Sequence, residues 1–394
     1  MIIENDISTD TFKPVHCASP SKNGVYQINA MDADMFVKHL NESTIKLPSP
    51  KKIKIVWTSF HCCIRVIKLA KALIRTGRYE IHGVANQISY GSDMFDTFSF
   101  YHNAVQFNNL INALPADLYI HSNEPNWQLT RIREQKPDAK IILDGHDFDS
   151  IRQGAIPLDE MRAFTNANGF LFVSEEVKNW ISSMHKEQIG SKPIAVLEHY
   201  CNEEWHKMPQ PADGQRSGLV YQGGAESPPY KTSQFRYRHL YPVLKQLVDQ
   251  GNEVHLIAGN PDAAITYNNI GAFCYQPMVY EKLMAALRAK RYGLVVFNNE
   301  DLSQKQVNLT LTNKHFEYIA CGLPVIVCGA PATAAWVKKT GEGICFDKIS
   351  DIRPEVLEKA YPGCKAVVDK LSSEYTMEKH IHKLEGLILE VVRG

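Results

Sequence analysis

The chain has 394 residues, with 43 lysines and arginines against 43 aspartates and glutamates, for a formal net charge of zero. Such a length exceeds one ordinary core and suits two domains of roughly 150–200 residues each. The charge balance gives no sign of a globally basic nucleic-acid binder, leaving only local basic faces to consider. The nine cysteines stand singly apart from Cys62-Cys63, without C-x-x-C pairs or metal-ligand spacing. No apolar segment follows Met1, and no apolar run approaches the ~20 residues of a membrane span. The expectation is a reducing, cytoplasmic setting, with the protein soluble or resting on a membrane surface.

Residues 1–50 are polar with few buried-looking positions. They read as an extension packed on the first domain, with one short helix over Asp32–Leu40. The first domain, 51–208, opens with a strand at Lys52–Phe60. A helix over Ile64–Thr76 turns Ile64, Ile67, Leu69, Leu73 and Ile74 inward and is stopped by Gly77. A second strand at Glu80–Asn86 completes a parallel βαβ unit. Strands follow at Asp117–His121, Lys140–Leu143, Gly169–Ser174 and Pro193–Leu197, with a helix at Glu175–Met184. This alternation makes a doubly wound α/β domain. His61, Glu124, Asn126, His146 and Asp147 all sit just past strand ends, and His199–Met208 reads as the interdomain crossing.

Pro209–Ser217 is rich in turn formers and marks the linker. The second domain, 209–375, carries a strand at Gly218–Tyr221 and a turn at Gln222-Gly223-Gly224. A helix at His239–Gln250, a strand at Val254–Ala258, a helix at Tyr280–Ala289 and a strand at Gly293–Phe297 follow. Asn313–Cys321 is a helix with Phe316, Ile319 and Ala320 on one stripe. Gly322 suits a left-handed C-terminal position, and Pro324 forbids continuation. Val325–Cys328 then reads as a strand covered on both faces. Glu317 falls near a crevice at the carboxyl ends of parallel strands, where open α/β sheets bind ligands. A last helix at Glu378–Val392, within 376–394, is expected to cross back to the first domain.

The segment NKHFEYIACGLPVIV, Asn313–Val327, resembles the carboxylate-helix segment of retaining, group 1 nucleotide-sugar glycosyltransferases with the GT-B fold. FLFVSEEVKNWI resembles the same family's strand-to-helix step. The resemblance implies two Rossmann-like α/β domains facing a cleft, with the second domain binding a UDP- or GDP-sugar. It also implies transfer of the sugar with retention to an acceptor held by the first domain. Glycan, lipid-linked, small-molecule and modified nucleic-acid acceptors all stay open, and no metal or other cofactor is expected. An epimerase on the same fold and a non-catalytic GT-B-like binding protein are the rival readings.

By resemblance, Glu317 holds the ribose hydroxyls, a task that suits a carboxylate able to accept two hydrogen bonds. Asn313 and Lys314 face the diphosphate at a helix N-terminus, or else form a cap with a solvated lysine. Gly223 and Gly224 form the glycine turn. Lys231 and Arg236, preferred over Arg238, neutralise the leaving diphosphate or form a solvated basic face. His146 lies over the sugar and donates to a hydroxyl or the leaving group, with Asp147 orienting it or acting on the acceptor. His61, Glu124 and Asn126 line the acceptor pocket. Two features depart from the family pattern: Phe60-His61-Cys62-Cys63 lacks the usual glycines, and Asn308-Leu309-Thr310 lacks the family's earlier glutamate. Arg65, Lys68, Lys71 and Arg75 form a basic outer helix face, either solvated or set against anionic lipid or an anionic polymer such as DNA.

Overall fold

The computed structural model describes residues 51–394 apart from 88–89, 123, 227–235, 259–260, 299–304 and 310, and omits the side chains of Arg236 and Gln306. The expected N-terminal extension, with its helix at Asp32–Leu40, lies outside the described residues, as does Lys231.

The first sheet is built from β1 (Ile53–Ser59), β2 (Tyr79–Ala85), β3 (Thr97–Phe100), β4 (Leu118–Ser122), β5 (Ile141–Gly145), β6 (Gly169–Phe172) and β7 (Ile194–Val196). The second is built from β8 (Ser217–Gly223), β9 (Val254–Ala258), β10 (Phe273–Tyr275), β11 (Lys290–Val296), β12 (Val325–Cys328) and β13 (Gly343–Cys345). Their orders are β3-β2-β1-β4-β5-β6-β7 and β10-β9-β8-β11-β12-β13, and every pairing is parallel. Central strands such as β4, β5 and β12 are buried along their whole length, which is why they read as unbroken apolar runs rather than alternating ones. Strand order reverses between β1 and β4 in one sheet and between β8 and β11 in the other. Loops leaving the carboxyl ends there diverge and open a crevice.

The expected βαβ unit is present, with helix α1 spanning Ile64–Arg75. The basic outer face expected on α1 is not there. Arg65 and Lys68 are 0% and 1% exposed. Arg65 donates from Nε to Asp144 Oδ1 at 2.9 Å and from Nη1 to the Leu197 carbonyl at 2.9 Å. Lys68 Nζ pairs with Glu317 Oε1 at 3.1 Å. Lys71 and Arg75 are partly exposed, but both pair with Glu204, and Arg75 also reaches Glu378. All four cations meet carboxylates, because α1 is wedged between its own sheet, the crossing segment and the second sheet's helices.

Elements that lay unread in the sequence include β3 and β10, the helices Ala104–Ala113, Trp127–Gln135, Leu158–Asn166 and Pro261–Asn268, and the helix Pro354–Ser372, which runs through Pro362. The single final helix is in fact two, Met377–His380 and His382–Arg393. The second packs on β5, β6 and β7. The crossing segment is held by aromatic contacts, Tyr200 against Phe316 at 4.9 Å and Trp205 against Tyr280 at 5.1 Å.

One close approach fixes how the helix Asn313–Ala320 lies on the second sheet. A Cβ at Gly293, in β11, would fall 2.2 Å from the buried Tyr318 ring. Overpacking of this kind costs about 1–3 kcal/mol. Gly293→Ala is therefore expected to lower the urea-unfolding free energy by about that much. Gly386→Ala, at an exposed helical position with no neighbour within 4 Å, should instead raise it by about 0.5–1 kcal/mol.

Candidate active site

A cavity of about 430 Å³ opens where the carboxyl ends of both sheets meet. From the second sheet, the end of β8 delivers Gln222 and Gly223 with Gly224 just past it, Phe297 follows β11, and the helix Asn313–Ala320 delivers Asn313, Lys314 and Glu317. From the first sheet come His146 and Asp147, just past β5, with His199 from the crossing segment. Glu317, Asn313, Lys314, Gly223, Gly224, His146 and Asp147, all expected in the site, thus share one cavity.

Glu317 is 2% exposed and carries an extensive hydrogen-bond set. Its Oε1 accepts from Lys68 Nζ at 3.1 Å and from the Tyr280 hydroxyl at 3.1 Å. Its Oε2 accepts from Gln222 Nε2 at 2.5 Å. Lys68 Nζ also reaches Asn313 Oδ1 and the His199 carbonyl, each at 3.4 Å. A carboxylate from the second sheet is thereby tied to a lysine from the first.

Gly223 has φ +122°, a conformation that favours glycine. A Cβ there would sit 3.5 Å from Lys314 Nζ, and one at Gly224 would sit 3.0 Å from the Arg238 side chain. Two basic side chains therefore flank the glycine turn, beside the N-terminus of the helix Asn313–Ala320, a combination suited to an anion. The Lys314 ammonium lies 3.7 Å from the Tyr221 ring centre and 5.0 Å from that of Phe297. Burial, reinforced by Arg238, holds it well below the ordinary lysine value against the opposing pull of Glu317. Among the described side chains, Arg238 is the arginine lining this cavity; the Lys231 and Arg236 that the sequence favours fall outside them. Lys231 and the Arg236 side chain are not described.

His146 faces the cavity from the other side, its Nε2 3.9 Å from Cys63 Sγ. Burial pulls its pKa down, but Cys63, Asp147 and Asp144 outweigh that and lift it to about 9. Its imidazole is thus a cation at neutral pH. Asp147 is pushed up by burial, yet His146, Arg152 and Arg238 hold it below the usual aspartate value. Arg152 Nη2 reaches Asp147 Oδ1 at 3.0 Å, and its Nη1 donates to Glu124 Oε1 at 2.7 Å. Asp144 is fully buried between Arg65 and Ser122, a structural rather than an exposed acid. His199 is held well below its usual value by burial, with Arg65, His146 and Lys68 adding to the effect. It stays neutral.

A second cavity of about 640 Å³ adjoins the first and shares His146, Asp147 and Asn313 with it. His61 and Glu124 line it with Phe60, Tyr101 and Trp127. Asn126 does not; it is buried just ahead of the helix Trp127–Gln135. Sequence reasoning missed Lys68, Gln222 and Tyr280 as partners of Glu317. The available signal was the position of α1: a helix that follows the first strand of a doubly wound sheet starts at the crevice, so the cations of its first two turns can point there. Among the described residues, no group of three or more His, Cys, Asp or Glu side chains is arranged to hold a metal ion, and no helix is long and apolar enough to cross a membrane.

Residues 242–384 match the family model of the glucosyltransferase 3-like C-terminal domain. No curated protein matches the chain by sequence. Among solved structures, the chain is similar to sucrose-phosphate synthase from Thermosynechococcus elongatus, with a TM-score of 0.64 and 12% identity over 87% of this chain and 100% of that one. It is also similar to an alpha-glucosyltransferase in complex with UDP and a 13-mer DNA containing a HMU base, with a TM-score of 0.56 and 12% identity over 87% and 100% of the two chains. WaaG, a glycosyltransferase involved in lipopolysaccharide biosynthesis, follows at a TM-score of 0.55 and 13% identity over 85% and 99%. The chain has the GT-B fold, and strands β9 to β13 of its second sheet lie within the segment that matches the glucosyltransferase 3-like model.

Lys314 gives this site a test of its own. Its pKa is lower folded than unfolded, so the folded state resists its protonation. That cost is present at neutral pH and fades as pH rises toward the unfolded value of about 10.5. Lys314→Met is expected to be more stable than the unsubstituted protein near pH 7, with the difference shrinking toward pH 10.5. Chemical denaturation across that range reads it.

Proposed function

We propose that this protein of the GT-B glycosyltransferase fold moves a sugar from a nucleoside diphosphate sugar to an acceptor held against the first sheet. The observation that carries the reading is the convergence of three features in one cavity. These are the Glu317 carboxylate, the basic Lys314 and Arg238 side chains at a glycine turn, and the His146 imidazolium across from them. A nucleotide laid along the second sheet would set its ribose at Glu317 and its diphosphate at Gly223-Gly224, beside Lys314 and Arg238. Negative charge builds on the diphosphate as the sugar–phosphate bond breaks, and fixed cations in a water-poor cleft stabilise it most at that moment. An anion arriving there favours the protonated form of Lys314 that burial otherwise disfavours.

His146, charged at neutral pH, donates a hydrogen bond to a sugar hydroxyl or to the leaving oxygen, and Cys63, with Asp147 and Asp144, holds it charged. The acceptor enters through the adjoining cavity, past His61 and Glu124. UDP is the first nucleotide to test, because a protein of this fold is seen with UDP bound. Retention at the anomeric carbon and neutralisation of the diphosphate by side chains rather than metal belong to the same proposal.

Release of free UDP or GDP from the corresponding sugar nucleotides, with and without candidate acceptors, tests this reading. Turnover should persist in excess chelator and should fall as pH rises through about 9, where His146 loses its proton. His146→Ala should lower kcat by about 10²–10⁴-fold. Tight nucleotide binding with no release under any of these conditions would make the chain a binding protein instead.

A further inference from the structure

The surroundings of Glu317 decide how it can hold a ribose. An ionised carboxylate offers about four lone-pair positions, two on each oxygen. Lys68 Nζ and the Tyr280 hydroxyl both donate to Oε1, each at 3.1 Å. Gln222 Nε2 donates to Oε2 at 2.5 Å. Among the described residues these donors fill three positions, two on Oε1 and one on Oε2, which leaves Oε2 one to spare.

The donors are not loose. The Lys68 ammonium has three protons, and Glu317 Oε1, Asn313 Oδ1 and the His199 carbonyl accept from it, with the Cys201 thiol also beside it. Lys68 is 1% exposed, so turning away would leave its charge buried without an acid. Tyr280 is buried under Trp205. Gln222 is held by its own backbone, whose N–H donates to the Tyr318 hydroxyl at 3.0 Å.

We infer that Lys68 and Tyr280 turn Glu317 into a grip for a single ribose hydroxyl, accepted at Oε2, rather than the two-hydroxyl clamp that an unencumbered carboxylate would form. Lys68 acts as a positioning residue: it contributes from the first sheet to nucleotide selection on the second and touches no ligand itself. The inference rests on the reading of Glu317 as the ribose-binding residue and deepens it. One consequence is unequal tolerance at the sugar. A nucleotide lacking the gripped hydroxyl loses a charge-assisted hydrogen bond, whereas one lacking the other hydroxyl loses nothing at Glu317.

Calorimetric titration with UDP, 2′-deoxy-UDP and 3′-deoxy-UDP tests this directly, with the guanosine set used instead where GDP binds more tightly. One deoxy analogue is expected to bind at least about 10-fold more weakly than the parent, and the other within about 3-fold. Tyr280→Phe keeps the Lys68–Glu317 pair and empties one Oε1 position. In that variant the tolerated analogue should also become at least about 10-fold weaker than the parent. Equal losses for both analogues in the unsubstituted protein would overturn the inference, as would a Tyr280→Phe profile identical to it. If the parent diphosphate does not bind, or binds as tightly as both analogues, the ribose reading of Glu317 itself fails.

Discussion

The buried ion pair between Lys68 and Glu317 is the constraint on which the rest of the site depends. Each charge comes from a different sheet, and each is almost wholly removed from water. Bringing two such charges out of solvent costs several kcal/mol per ion, and their attraction offsets this only where further hydrogen bonds complete both shells. Here Asn313, the His199 carbonyl, Tyr280 and Gln222 do so. A pair of this kind is a weak source of stability and a strong source of geometry. It fixes α1 against the helix that carries Glu317, and so sets the cleft's width where the strand ends meet.

The cleft around it is electrostatically polarised. Arg238 brings positive charge to the glycine turn of the second sheet, and Lys314 stands beside it with its pKa pushed well down by burial. On the opposite wall, Arg152 gathers Asp147 and Glu124 beside the charged His146. The protein thus bears a lysine that its surroundings would rather see neutral, a local instability of the sort that functional sites retain. An anion at the turn would relieve it. The same wall that carries charge also borders the second cavity, so one histidine and one aspartate serve both compartments.

Much of this was legible because the physics is local. Strands buried on both faces announce themselves as apolar runs, as at Val325–Cys328, and glycines past helix ends mark the turns. The carboxyl-end rule then brings Gly223, His146 and Glu317 to one crevice. What could not be read is set by tertiary contact. The cations of α1 look like a solvated stripe in sequence, and only the packing of the crossing segment and the opposing helix shows that Arg65 and Lys68 are buried. The helix Pro354–Ser372 hides behind an internal proline, a residue that ordinarily argues against a helix. Glu317 was identified by motif, but the donors that limit it come from positions 68, 222 and 280, far apart in sequence and without pattern. Asn126 shows the converse: a position just past a strand end does not by itself put a side chain in the pocket.

The central claim is that Glu317, held by Lys68, forms the nucleotide end of a sugar-donor site. The most direct measurement is calorimetric titration of UDP and GDP into the unsubstituted protein and into Glu317→Gln, with circular dichroism to establish that both are folded. The account predicts saturable binding of one nucleotide, weakened at least about 10-fold by the substitution, the loss expected for a charge-assisted hydrogen bond. Equal affinity in the two proteins, or no binding by either nucleotide to the unsubstituted chain, would contradict it.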